Sequence, residues 1–162
     1  MPHNPTDIAQ LLPHSGNMVL LDRVISHDAL SIHCLATSHH AADNPLRENG
    51  HLPAWCGIEY AAQAMAIHQR LSATAARHVV SAPHDVTAPN TAPTQGVLAV
   101  ARDIHVLRPD LDGVRGDLQI YAKKIAADSN SLLYQFNIES AGETIVTGRA
   151  TVVIQGARAV RA

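Results

Sequence analysis

Aromatic side chains are scarce in this 162-residue sequence: one Phe, one Trp and three Tyr make up 3% of it. Few rings leave little on which bases could stack, and a formal charge of -2 offers no field for a polyanion. A nucleic-acid partner is not expected. Cysteine is scarcer still, since only Cys34 and Cys56 occur, without a CxxC pair. That excludes a disulfide framework or zinc knuckle, and both read as reduced, small apolar residues. Apolar runs long enough to span a bilayer, roughly eighteen residues, are missing. Residues 1–10 are polar and proline-bearing and lack a charged segment followed by an apolar one, so the expectation is a cytoplasmic protein without membrane insertion.

Hydrophobic residues nonetheless make up 46%, so the core must be built from Val, Leu, Ile and Ala. The length suits one domain, 1–162, able to bury roughly 68–70% of its unfolded surface. Eleven histidines advertise a metal, but there is no HExxH, no Cys/His cluster and no His pair followed by a carboxylate. No metal site is expected. GxSxG, GxxxxGK[ST] and GxGxxG are absent too, which removes the serine-hydrolase, phosphate-loop and dinucleotide readings.

Thr6 or Asp7 followed by Ile8, Leu11 and Leu12 predicts a short helix ending at Pro13. The run from Met18 through Ile25, a turn at His27-Asp28, and the alternation of Leu30, Ile32, Cys34 and Ala36 predict a hairpin with one buried face. Residues 38–50 carry Asn-Pro and Asn-Gly pairs without a period and read as a loop. A helix follows, with Pro53 in its first turn and Ile58, Ala61, Ala62, Met65 and Ala66 at three- and four-residue steps. Its small residues would let a sheet wrap closely around it. Residues 72–96, rich in Ala and Pro, read as an exposed, flexible excursion. Runs at 97–107, 114–126, 131–140 and 143–155 then read as a four-stranded antiparallel meander turning at Gly113, at residues 128–130 and at Ala141-Gly142. Strands without intervening helices indicate an α+β fold rather than a parallel doubly wound sheet.

The chemistry concentrates in residues 50–63. Glu59 and Gln63 are four apart on one face of the small-residue helix. A carboxylate among apolar neighbours there would be pushed toward its neutral form and suited to general acid work; alternatively it faces solvent at the helix edge. Gly57, near the helix N-terminus, offers either a backbone N–H for a carbonyl oxygen or room for close helix–sheet packing.

Several runs carry a family resemblance. Leu12-Pro13-His14 followed by Met18-Val19-Leu20-Leu21-Asp22-Arg23-Val24 resembles the opening of the hot-dog-fold 3-hydroxyacyl-ACP dehydratases. The run from Leu52-Pro53-Ala54-Trp55-Cys56-Gly57-Ile58-Glu59-Tyr60 to Gln63-Ala64 is similar to their central helix in the ApeP-like branch, associated with aryl polyene biosynthesis. The resemblance implies an antiparallel sheet wrapped around one long central helix, and dimers with a continuous sheet and acyl tunnels at the interface. It also implies elimination of water from a 3-hydroxyacyl thioester without a cofactor. In such dehydratases a loop histidine takes the α-proton, a helix carboxylate of the facing protomer helps the hydroxyl leave, and a glycine amide holds the carbonyl. Carried over, Glu59 and His51 are the candidate catalytic residues; Gly57, Gln63, His14 and Trp55 are the candidate substrate-binding ones. Gly50-His51-Leu52-Pro53 resembles the family's Gly-His-aromatic-Pro signature, with fewer residues between His and carboxylate.

Partners implied are an acyl carrier protein or CoA thioester and a second subunit, giving a homodimer, an assembly of dimers, or a heteromer with another hot-dog subunit. Two alternatives stand beside the dehydratase: an acyl-CoA or acyl-ACP thioesterase, and a non-catalytic subunit of a heteromeric dehydratase, the last motivated by the shortened histidine loop.

Overall fold

The computed structural model describes residues 5–80 and 95–155. Two helices, α1 (Pro5–Leu11) and α2 (Gly57–Val80), accompany six strands: β1 (Arg23–His27), β2 (Ser31–Ala36), β3 (Gln95–Val106), β4 (Leu118–Ala127), β5 (Ser131–Ser140) and β6 (Glu143–Gln155). All neighbours pair antiparallel in one sheet, ordered β1-β2-β4-β5-β6-β3. Alternation sorts the faces: Ile32, Cys34 and Ala36, Leu118, Ile120 and Ala122, Tyr134, Phe136 and Ile138, and Val146, Ala150 and Val152 are buried. Against them α2 buries Tyr60, Ala61, Ala64, Met65, Ile67 and His68. A sheet curled around one long helix is what the resemblance implies.

Turn chemistry explains the hairpins. Asp28 Oδ1 accepts from the amides of Leu30 and Ser31, and Asp128 Oδ1 does the same for Asn130 and Ser131. Those amides hold both carboxyls below the usual carboxylate range. Between β5 and β6, Ala141 and Gly142 have φ of 50 and 79, the left-handed pair of a two-residue hairpin turn.

Four features differ from the sequence expectation. β3 does not pair with β4; it crosses to the far edge beside β6, so only β4, β5 and β6 form a meander. The connection containing Gly113 is not a hairpin turn but an anchored crossing, with Leu111 and Val114 buried and Leu111 N–H donating to Leu52 O at 2.8 Å. The first strand begins at Arg23 rather than Met18, because the backbone of Met18 and Leu20 is hydrogen-bonded to Gln63. Finally, α2 continues to Val80, into the stretch read as an excursion, as its helix-favouring alanines permit. The part of that excursion between α2 and β3, residues 81–94, lies outside the described residues.

Candidate active site

The first turn of α2 is set by what precedes it. Pro53 leads a 3₁₀ turn, Ala54–Cys56, and the Gly57 N–H donates to the carbonyls of Ala54 and Trp55. The Gly57 amide is thus occupied by the turn. A Cβ at this position would sit 2.9 Å from Ile138 Cδ1, so glycine lets the helix seat on β5 and β6. Trp55 is 54% exposed and walls a groove of about 360 Å³ with Pro45, Leu46, Cys56, Ile58 and the two carboxylates Glu48 and Glu59.

Glu59 combines the two placements that periodicity allowed. Its side chain is 32% exposed on the groove, yet its inner oxygen is gripped. His14 Nε2 lies 3.3 Å from Oε1, and Gln63 Nε2 donates to the same Oε1 at 3.4 Å. Gln63 is buried and locked: its Nε2 also donates to Met18 O at 2.7 Å, and its Oε1 accepts from Leu20 N–H at 3.0 Å. Because an amide N–H cannot bond another N–H, these two backbone groups fix which end of Gln63 faces Glu59. His14 arrives from the other side: α1 ends before Pro13, Ile8 and Leu12 are buried, and Gly16 at φ +60 opens the 3₁₀ turn Gly16–Met18. His14 and Met18, each 45 positions before its partner on α2, Glu59 and Gln63, thereby meet one helix face.

His51 is placed elsewhere. Asn49 and Gly50, at φ 50 and 80, form a tight turn in which Glu48 and His51 exchange backbone hydrogen bonds of 2.8 and 2.9 Å. The His51 ring is 78% exposed, with Nδ1 3.6 Å from Asp112 Oδ2. No hydrogen bond or ion pair joins His51 to Glu59 within the chain. Asp112, which sequence reading passed over, is held by Leu52 N–H at 3.0 Å and by Arg47. The Leu52 amide first, then Arg47, keeps its carboxyl below the ordinary range.

Two further groups had no sequence signal because their partners are distant. Arg47 donates from Nε to Ala41 O at 2.8 Å, from Nη2 to His39 O at 2.7 Å and from Nη1 to Gly50 O at 3.1 Å. The buried Tyr60 hydroxyl meets Ser38 Oγ at 2.9 Å and Asn44 Nδ2 at 3.0 Å, tying the loop to α2. The cysteines are free and buried as expected, and burial pushes the Cys34 thiol up to about 12.

Two core histidines create a pH dependence. His68 Nε2 faces Asp28 O at 2.9 Å; a carbonyl only accepts, so Nε2 carries the proton and Nδ1 accepts from Tyr134 O–H at 2.7 Å. His39 is buried with neither ring nitrogen in a hydrogen bond of good geometry, although the carbonyls of Gly116 and Val114 face it. Burial lowers the pKa of both, and for His39 the adjacent His40 adds to it. The unfolded chain takes up protons near about pH 6.5, where the folded one resists them. Stability is therefore full above that value and falls as pH drops through it, by up to about 1.4 kcal/mol per pH unit for each histidine. Urea denaturation between about pH 7.5 and 5.5 should show this loss, reduced in His39→Gln; equal stability across the range would refute it.

Comparison with known proteins places this geometry. The family model described as ApeP-like: ApeP dehydratase matches residues 6–159. No curated protein sequence matches the chain. Among solved structures, the dehydratase heterocomplex ApeI:P from Xenorhabdus doucetiae is similar at 25% identity and TM-score 0.73, covering 93% of this chain and 91% of that one. A mutant thioesterase from Pseudomonas aeruginosa shares the fold at 12% identity and TM-score 0.61, over 95% of both chains. A hypothetical thioesterase with coenzyme A from Streptococcus pneumoniae does so at 12% identity and TM-score 0.55, over 84% of this chain and 87% of that one. The fold is the hot-dog fold. Among the described residues no helix is long and apolar enough to cross a membrane.

Proposed function

The chain belongs to the ApeP-like dehydratase family, and from that premise we propose that it is a subunit of a hot-dog assembly eliminating water from a 3-hydroxyacyl thioester over the first turns of α2. The observation that carries this reading is the carboxylate of Glu59, with Oε1 engaged by His14 and Gln63 and the side chain opening on the groove walled by Trp55 and Ile58. Two side chains crowding one oxygen leave Oε2 as the oxygen that can carry a proton toward substrate.

In the reaction, Glu59 Oε2–H gives its proton to the β-hydroxyl, the C–O bond breaks and water departs. A base removes the α-proton, and the electron pair of that C–H bond becomes the new double bond. His51 suits the base if it serves Glu59 of a facing subunit: Asp112 stands behind Nδ1, leaving Nε2 outward. Protons exchange through solvent between turnovers, and no cofactor enters the balance. Thioester carriers, whether acyl carrier protein or CoA, would enter along the apolar groove.

Assembly is supported by β3. It ends the sheet with its outer edge unpaired among the described residues, spans twelve residues, and exposes Val97, Val100 and Val106. A long apolar edge is a template for sheet continuation by a second subunit. A second reading, in which this chain supports a different catalytic hot-dog subunit, is favoured by the separation of His51 from Glu59 within one chain.

Assaying enoyl product from 3-hydroxyacyl thioesters, with the chain alone and with a second hot-dog subunit, tests both. Elimination that requires Glu59 of this chain is expected. Elimination by the mixture alone and indifferent to Glu59 would favour the supporting role, and release of free thiol without enoyl product would replace dehydration by thioester hydrolysis.

A further inference from the structure

We infer that His14 is a positioning residue: a neutral imidazole donating Nε2–H to Glu59 Oε1, so that with Gln63 it confines the mobile proton of Glu59 to Oε2. This deepens the dehydratase reading and rests on it for its kinetic consequence, but the tautomer is a property of the chain itself.

The inference follows from the surroundings of the ring. Nε2 faces a carboxylate oxygen at 3.3 Å, while Nδ1 is buried with no hydrogen-bond partner among the described residues. Three protonation states compete for that geometry. An imidazolium would bury an Nδ1–H donor with nothing to receive it, and the Nδ1–H tautomer would do so while setting a bare Nε2 lone pair against carboxylate lone pairs. The Nε2–H tautomer buries only a lone pair at Nδ1 and makes the contact attractive. Unmet buried donors are the costlier and rarer omission, so the neutral Nε2–H form is selected.

The consequence is a carboxyl group with unequal oxygens. Oε1 receives two N–H donors, from His14 and Gln63, whose own amide end is fixed by Met18 and Leu20. A proton on Oε1 would collide with both donors. On Oε2 it leaves both hydrogen bonds intact, because a carbonyl-like Oε1 still accepts them. The two donors thus decide which oxygen is the acid, and His14 moves no proton itself.

Nitrogen NMR of the purified chain with labelled histidine tests the tautomer, the His14 signal being assigned by its loss in His14→Gln. The expected spectrum is neutral with the proton on Nε2, and the signal should move in Glu59→Gln. An Nδ1-protonated or imidazolium His14 at neutral pH would overturn the inference whether or not elimination is observed. Kinetics separate positioning from proton transfer, since the Gln side-chain amide can stand in for the Nε2–H donor but not for a base. Elimination by His14→Gln should stay within about 10-fold of wild type, whereas His14→Ala should lose roughly 10- to 100-fold. A Gln variant as impaired as the Ala variant would make His14 the base. Should His14→Ala fail to fold, the spectrum and the Gln variant decide alone.

Discussion

Glu59→Gln should lower the elimination rate by roughly 10²- to 10⁴-fold, the range expected when a positioned acid–base group is lost. The substitution keeps the shape of the side chain, and its amide oxygen can still accept from His14 Nε2 and from Gln63 Nε2, the two contacts now made to Oε1. What disappears is the acidic proton at Oε2. Thermal unfolding should therefore change little, and substrate affinity should fall far less than turnover. A variant retaining turnover within about threefold would remove Glu59 from the chemistry, whereas a rise in KM alone would make it a binding residue.

Arg47→Ala should produce the largest loss of stability, about 2–4 kcal/mol, which at this chain length corresponds to a Tm lower by about 5–15 °C. The guanidinium, with a side chain only 14% exposed, bonds the carbonyls of His39, Ala41 and Gly50 and pairs with Asp112. Truncation leaves three carbonyls short of a donor and Asp112 without its cation, and the segment they order carries His51 and the groove residues Pro45, Leu46 and Glu48. Arg47→Lys should recover only part of the loss, since one ammonium cannot reproduce a planar fork serving acceptors on several sides. Wild-type stability in Arg47→Ala, read by calorimetry, would show these bonds to be replaced by water at no cost.

The helix carrying the site was legible because its signals are local: small and apolar residues recur at helical steps through Ala66, although Pro53, expected in the first turn, leads the 3₁₀ turn that precedes the helix. Glu59 and Gln63 were legible as a pair for the same reason, being one helical turn apart. His51 was singled out through its resemblance to a family signature, and the structure sets it on an exposed turn beside Asp112. His14 was named only as a candidate substrate-binding residue; nothing in its spacing from Glu59 says that a positive-φ glycine and a 3₁₀ turn carry it back onto α2. Asp112 and Arg47 were silent because a charged residue in a polar loop looks alike whether solvated or buried in a network.

The sequence by itself determined the periodicities, and with them the α+β class, one buried face for the first hairpin and the carboxylate on the central helix. Only the tertiary structure decided that β3 crosses to the far edge beside β6, and that His14 rather than His51 meets Glu59 within the chain. The physical reason is one of range: backbone propensity and hydrophobic alternation act between near neighbours and are written in order. Which distant donor reaches a given oxygen depends on chain crossings that close only when the core packs.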